Sequence, residues 1–186
     1  MTDATDVTDS TDPTDVTDVT DVTDVTVRPA RPDDVAAVHR LVLTLAAYER
    51  EPDAVEATPE DLQVALFGPD PAVRCLVAEV VVDGRAVVVG TAVSFVSFST
   101  WHGRHGIRLE DLVVDEAYRG RGVGRRLLAA LAHECTQRGW TRLEWSVLDW
   151  NTSAQDFYRG AGANPQEEWT TWRLDGPGLA GLAADA

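Results

Sequence analysis

The stretch YRGRGVGRR, residues 118–126, limits this chain most, because it stands between the apolar run LEDLVV (109–114) and the amphipathic LLAALAHECTQRGW (127–140). A strand that passes through a glycine-rich turn straight into a helix points to a layered α/β domain with a crossover connection. The first turn of such a helix leaves backbone N–H groups without intrahelical partners, and its dipole favours negative charge. Gly120, Gly122 and Gly124 let an anion approach the backbone closely, and Arg119, Arg121, Arg125 and Arg126 supply charges suited to phosphate. Two familiar phosphate turns do not fit. A Walker loop needs Lys-Ser/Thr after its last glycine, where Arg125-Arg126 stand, and the dinucleotide fingerprint G-x-G-x-x-G is here G-x-G-x-G.

The flanking chain is consistent with that frame. Val25 to Pro29 is a short extended segment, and Pro32-Asp33 begin an amphipathic helix with Val35, Val38, Leu41, Val42 and Leu45 on one face. TPEDLQVALF is a shorter helix with Thr58 as N-cap and Pro59 in its first turn. Asp83-Gly84 between two Val-rich runs predicts a tight hairpin. After the glycine-arginine turn comes a helix from about Val123 to Arg138, closed by Gly139. TRLEWSVLD reads as a strand, Asn151 caps the helix TSAQDFYRGAG, and EWTTWRL is a last extended stretch. The predicted order is β-α-α-β-β-β-α-β-α-β, a mixed α/β sheet domain over residues 27–175, followed by a flexible Gly/Ala-rich end, 176–186.

Residues 1–26 are different. Their Thr-Asp repeat holds eight Asp and no Lys, Arg or aromatic residue, so it cannot bury enough apolar surface to offset the entropy of ordering it. A disordered tail is expected, without the basic and apolar regions of a signal peptide. The chain carries a net charge of −15, and the eight tail aspartates leave −7 for the rest. That acidity opposes nucleic acid as a partner and suits a cationic ligand. No apolar run reaches the length of a membrane span. Cys75 and Cys135, like the four histidines, lack metal-ligand spacing, so a reduced, cytoplasmic, metal-free protein is expected.

The spacing Arg119-x-x-Gly122-x-Gly124 resembles the acyl-coenzyme A pyrophosphate loop of the GNAT N-acetyltransferase superfamily, Q/R-x-x-G-x-G/A, and the element order is similar to that family's. WNTSAQDFYRGAGA (150–163) resembles its second hallmark. Longer stretches, SFSTWHGRHGIRLEDLVVDEAYRGRGVGRRLL and DWNTSAQDFYRGAGA among them, resemble the diamine (spermidine/spermine) N-acetyltransferase branch from about Val27 to Leu174. The resemblance implies a GNAT acyl-CoA N-acyltransferase fold, acetyl-CoA as co-substrate, a small cationic amine as acceptor, and a homodimer. Neither cysteine lies in the matched motifs, which favours direct transfer over an acyl-enzyme. The sequence departs from the branch after Tyr158, where RGAGAN is nearly uncharged, and at its end, where EEWTTWRL adds a tryptophan.

Such chemistry has definite needs. An amine of pKa near 10.4 is free base roughly once in a few thousand molecules at pH 7. A general base contributes on the order of 10²–10⁴-fold, comparable to that deficit. Glu110 and Asp111 stand together before the strand core, and on a regular strand only one of them faces a cleft. By resemblance Glu110 is the base, acting through water, and Tyr158 is the acid that protonates the thiolate. The resemblance also assigns backbone N–H groups of Leu112, Val113 and Val114 to the thioester carbonyl. It assigns Arg119, Gly120, Arg121, Gly122, Val123, Gly124 and Arg125 to the coenzyme phosphates, and Asn151, Thr152, Ser153, Ala154 and Tyr158 to the coenzyme arm. The acceptor side would comprise Tyr48, Glu49, Trp101, Glu110, Asp111, Glu144, Trp145 and Ser146, with cation–π contact at the indole. The alternatives are another amine (an aminoglycoside or a peptide N-terminus) and a coenzyme A-binding sensor without turnover.

Overall fold

The computed structural model describes residues 24–186, so the expected disordered tail lies, up to residue 23, outside the described residues. The chain divides into two compact units at the Trp145–Ser146 junction. The first unit holds a five-stranded sheet: β1 (Thr26–Pro29), β2 (Arg74–Val82), β3 (Arg85–Ser99), β4 (Arg104–Val114) and β5 (Leu143–Glu144), side by side in that order. Neighbours from β1 to β4 are antiparallel. Only β5, reached through the helix α3 (Val123–Gln137), runs parallel to its neighbour. The β2–β3 hairpin turns on Asp83 (φ 49°) and Gly84 (φ 74°), both left-handed, as a two-residue primed turn requires.

Helices α1 (Val35–Tyr48) and α2 (Pro59–Phe67) cover one face of this sheet. Val38 of α1 and Leu66 of α2 pack with Cys75, Val77 and Val93 in one buried cluster. Gly90 lies three residues before Val93 on β3, so it faces the other way. There a Cβ would meet Val123 and Leu127 of α3 at 3.2 and 3.3 Å, which makes glycine the residue that lets the helix approach. The apolar stripe of α1 behaves as its periodicity predicts: Val35, Val38 and Leu41 are buried, and Val42 and Leu45 half-buried. The predicted Thr58 cap is a reciprocal box, in which its hydroxyl accepts from the Asp61 N–H (3.2 Å) and its own N–H donates to the Asp61 carboxylate (2.9 Å). Gly139 (φ 65°) ends α3 as expected.

The second unit contains α4 (Thr152–Gly160) and α5 (Gly176–Ala183). Asn151 caps α4, its side-chain oxygen accepting from the Ala154 N–H at 3.1 Å. Three expectations need correction. TRLEWSVLD yields only the two residues of β5, and EWTTWRL is no strand: Trp169 and Trp172 lie exposed in irregular chain. Alternation makes a segment compatible with a sheet but supplies no partner for its N–H and C=O groups. The Gly/Ala-rich end forms α5 instead of a loose terminus, with Pro177 in its first turn and Ala and Leu offsetting the glycines.

Leu127 is fully buried between α3 and the sheet. Leu127→Ala is expected to cost about 2–5 kcal/mol in chemical denaturation. A loss under about 1 kcal/mol would contradict the docking of α3 on the Gly90 face.

Candidate active site

β4 is not a regular strand. Val93 of β3 stands opposite Asp111 while the next residue, Ser94, stands opposite Leu109, so Glu110 is an extra residue with no counterpart. This is a β-bulge. It places Asp111 on the Val93 face, under α1 and α2, half-buried, while Glu110 is left exposed. The sequence predicted that only one of the two acids would face a cleft, a rule that holds for unbroken alternation; the bulge suspends it. Burial pushes the Asp111 carboxyl up, and the neighbouring charges of Glu110 and of Glu49 push it further, to about 6. Glu49, the C-cap residue of α1, is itself raised by burial. Three carboxylates thus share one region, formed by the bulge and the end of α1.

The bulge also resets the backbone. The Ile107 N–H donates to the Arg142 carbonyl on the β5 side (3.0 Å), and the Asp115 N–H donates to Val89 on the β3 side (2.9 Å). Alternation back from Asp115 directs the N–H groups of Leu112 and Val114 away from β3 and that of Val113 toward it. The β4–β5 ladder comprises only Ile107 with Leu143 and Arg108 with Glu144. Leu112 and Val114 therefore present their N–H groups beyond the end of β5. Of the three donors implied by the resemblance, Val113 points the wrong way.

At the end of β4 the glycine-arginine turn takes the shape its sequence demands. Gly120 (φ 72°) and Gly122 (φ 79°) are left-handed, conformations that a side chain would strain. Gly122 caps α3, whose ladder opens with the Arg126 N–H on the Gly122 carbonyl (3.0 Å), so the N–H groups of Val123 and Gly124 precede it. The arginines divide their work. Arg126 reaches back to the Val25 carbonyl (3.2 Å), away from the phosphate role its position had implied. Arg119 donates from Nε to the Val114 carbonyl (3.0 Å), and its guanidinium lies 4.9 Å from the centre of the Tyr48 ring. Arg121 stands 6.0 Å over Tyr118.

One positioning residue escaped the sequence. Arg40 of α1 makes two hydrogen bonds to the Asp115 carboxylate (3.0 and 2.9 Å) and one to the Val88 carbonyl (3.1 Å), tying the helix to the exit of β4. An arginine on a polar helix face carries no local sign of a partner 75 residues away.

Other predicted site residues fall elsewhere. Trp101 is 86% exposed at the β3–β4 hairpin tip. It lies roughly 20 Å along β4 from Glu110, at about 3.4 Å per residue, and is not gathered with the carboxylates. Glu144 pairs with Arg142 (3.3 Å), and Trp145 is half-buried. Ser146, Asn151, Thr152, Ser153, Ala154 and Tyr158 belong to the second unit. There Tyr158 is half-buried, its ring tilted against Phe157 at 5.1 Å. Burial pushes the Cys75 thiol up to about 11 and raises Cys135 too, which suits neither to nucleophilic work at neutral pH. Among the described residues, no group of His, Cys, Asp and Glu is placed to hold a metal, and no helix is long and apolar enough to cross a membrane.

The sequence profile of the acetyltransferase (GNAT) family matches residues 39–163. A thialysine N-epsilon-acetyltransferase of Bos taurus is 37% identical over 164 residues, covering 84% of this chain and 96% of its own. A human spermidine/spermine N(1)-acetyltransferase-like protein 1 is 31% identical over 163 residues, 84% of this chain and 23% of its own. Among solved structures, an integron cassette protein from the mobile metagenome of V. cholerae superposes with a TM-score of 0.69 at 26% identity, covering 86% of this chain and 97% of its own.

The raised Asp111 carboxyl has a stability consequence of definite sign. A carboxyl whose pKa is higher folded than unfolded destabilises the native state once ionised, so the cost is absent near pH 4 and complete above about pH 7. Asp111→Asn should therefore raise stability at pH 8 by about 2 kcal/mol, allowing for solvent screening, and leave it nearly unchanged at pH 4. Denaturation at the two pH values checks this, and a pH-independent difference would contradict burial as the cause.

Proposed function

We propose, because the chain belongs to the acetyltransferase (GNAT) family, that it transfers an acetyl group from acetyl-CoA directly to the amine of a small cationic acceptor: a diamine, a polyamine or a lysine-like amino acid. The observation that carries the acceptor class is the meeting of Glu49, Glu110 and Asp111. Three carboxylates brought together repel one another, and a ligand with one or two ammonium groups relieves that repulsion. Thialysine, the acceptor for which the Bos taurus relative is named, is of this class.

GNAT enzymes use acetyl-CoA, and the turn fits its phosphates. Apart from the adjoining residues, nothing lies within 4 Å of where a Cβ would stand on Gly120 or Gly122, the N–H groups of Val123 and Gly124 precede the helix ladder, and Arg121 and Arg125 add charge. Asn151 through Ala154 would hold the coenzyme arm. When bound, the coenzyme supplies an activated acyl carbon. Glu110 accepts a proton from the ammonium group through water, freeing the nitrogen lone pair. The Leu112 and Val114 N–H groups would hold the carbonyl oxygen of the bound acetyl group while the C–N bond forms and the C–S bond breaks. Tyr158 would then give its Oη proton to the sulfur and be restored, through solvent, by the second proton that the nitrogen sheds on becoming an amide. Glu49 and Asp111 hold the acceptor's positive charge throughout. The homodimer implied by the resemblance belongs to this reading and is checked by mass in solution.

A second assignment has one observation in its favour. The Asp111 carboxyl, at about 6, is closer to working pH than an ordinary carboxylate, as suits a base. Kinetics separate the two. With Glu110 as base, Glu110→Gln lowers kcat on the order of 10²–10⁴-fold with little change in amine KM, whereas Asp111→Asn chiefly raises amine KM. The reverse pattern gives the base to Asp111. Under either assignment kcat/KM for the amine falls as pH drops below about 6, because Asp111 loses the charge that attracts the acceptor. Tyr158→Phe should lower kcat while coenzyme binding is kept; unchanged turnover would remove Tyr158 from the mechanism.

A further inference from the structure

Tyr48 closes α1 on the acceptor side, one residue before Glu49, yet its ring meets a residue of the coenzyme turn. The Arg119 guanidinium stands 4.9 Å from the ring centre, while its Nε donates to the Val114 carbonyl at the end of β4 (3.0 Å). Two separate contacts therefore hold this side chain, the Tyr48 ring beside its guanidinium carbon and the Val114 carbonyl at its Nε. A guanidinium has five N–H donors in a planar fork, so the Nη edge is the part left for phosphate oxygens. An arginine held in this way loses less rotamer freedom when a phosphate binds than one that swings in solvent. Tyr48 itself rests on a fixed support, since Arg40, two turns earlier on α1, is bonded to Asp115 and Val88.

We infer that Tyr48 is a positioning residue for the coenzyme, its ring setting Arg119 so that the C-terminal end of α1 serves the coenzyme and acceptor sites at once. The inference rests on the turn's being the coenzyme phosphate site. Linkage then requires reciprocity: whatever orders Arg119 also orders Tyr48 and the adjoining Glu49, so coenzyme and amine raise each other's affinity by one common factor.

The test is calorimetric titration of coenzyme A into the full chain. Tyr48→Leu should weaken binding by about 2–30-fold, the span expected from loss of a cation–π contact. Tyr48→Phe keeps the aromatic ring and should stay within about two-fold of wild type, which a role carried by the hydroxyl would not allow. In an Arg119→Met background, Tyr48→Leu should have no further effect. Tyr48 is 38% exposed, and an unchanged melting temperature for Tyr48→Leu separates lost positioning from lost folding. Equal affinity of wild type and Tyr48→Leu, or independent additive losses in the double variant, would overturn the inference while leaving the turn as the phosphate site. Absence of coenzyme A binding by wild type would overturn the phosphate reading itself.

Discussion

The site depends on one surplus residue in β4. Because Glu110 has no counterpart on β3, everything after it on the strand is turned over relative to everything before it. Side chains and backbone respond together. Asp111 is carried to the half-buried face beside the end of α1, and the N–H groups of Leu112 and Val114 are carried to the side where β5 has already stopped. A regular strand would have lost both, because side-chain face and N–H direction alternate with the same period. The cost is visible in Asp111, a carboxyl held where its ionised form is disfavoured. A strained or destabilised group maintained by a well-packed frame is common where chemistry is done.

The frame that maintains it is the packing of α1 and α3 on opposite faces. Val38 and Leu66 are buried against Val77 and Val93 on one side, and on the other Leu127 approaches as closely as Gly90 allows. Along one strand and its exit, the chain then separates charge by sign. Glu110 and Asp111 lie at the bulge, and Arg119, Arg121 and Arg125 follow within fifteen residues at a helix start whose dipole is also positive. Under the proposed function, the cationic amine and the anionic coenzyme would be drawn to separate regions of opposite charge. Arg40 and the Tyr48–Arg119 contact join the helix bordering the acidic region to the turn bordering the basic one.

Much of this was legible in order. Thr58, Gly139 and Asn151 act as caps because capping is a property of a few adjacent residues, and Asp83-Gly84 turns because both residues tolerate the left-handed region. Gly120 and Gly122 have the backbone that the turn needs, and the acetyltransferase family follows from the same stretch. The misses share a cause. The shortness of β5, the unpaired EWTTWRL, the distance of Trp101 from Glu110, and the engagement of Arg126 by Val25 all depend on a partner far away in sequence. No pattern within a segment states whether that partner arrives.

By itself, then, the sequence determined the element order as far as β5, the caps, the hairpin and the left-handed glycine turn, since each follows from local sterics, periodicity and unpaired backbone groups. Tertiary structure alone decided which of two adjacent acids is buried, which N–H groups of β4 face the gap, and which arginine meets Tyr48. A bulge is a mismatch between two strands, and a raised carboxyl is a response to neighbours drawn from a helix and a strand more than 60 residues apart. Both exist only once the chain has folded.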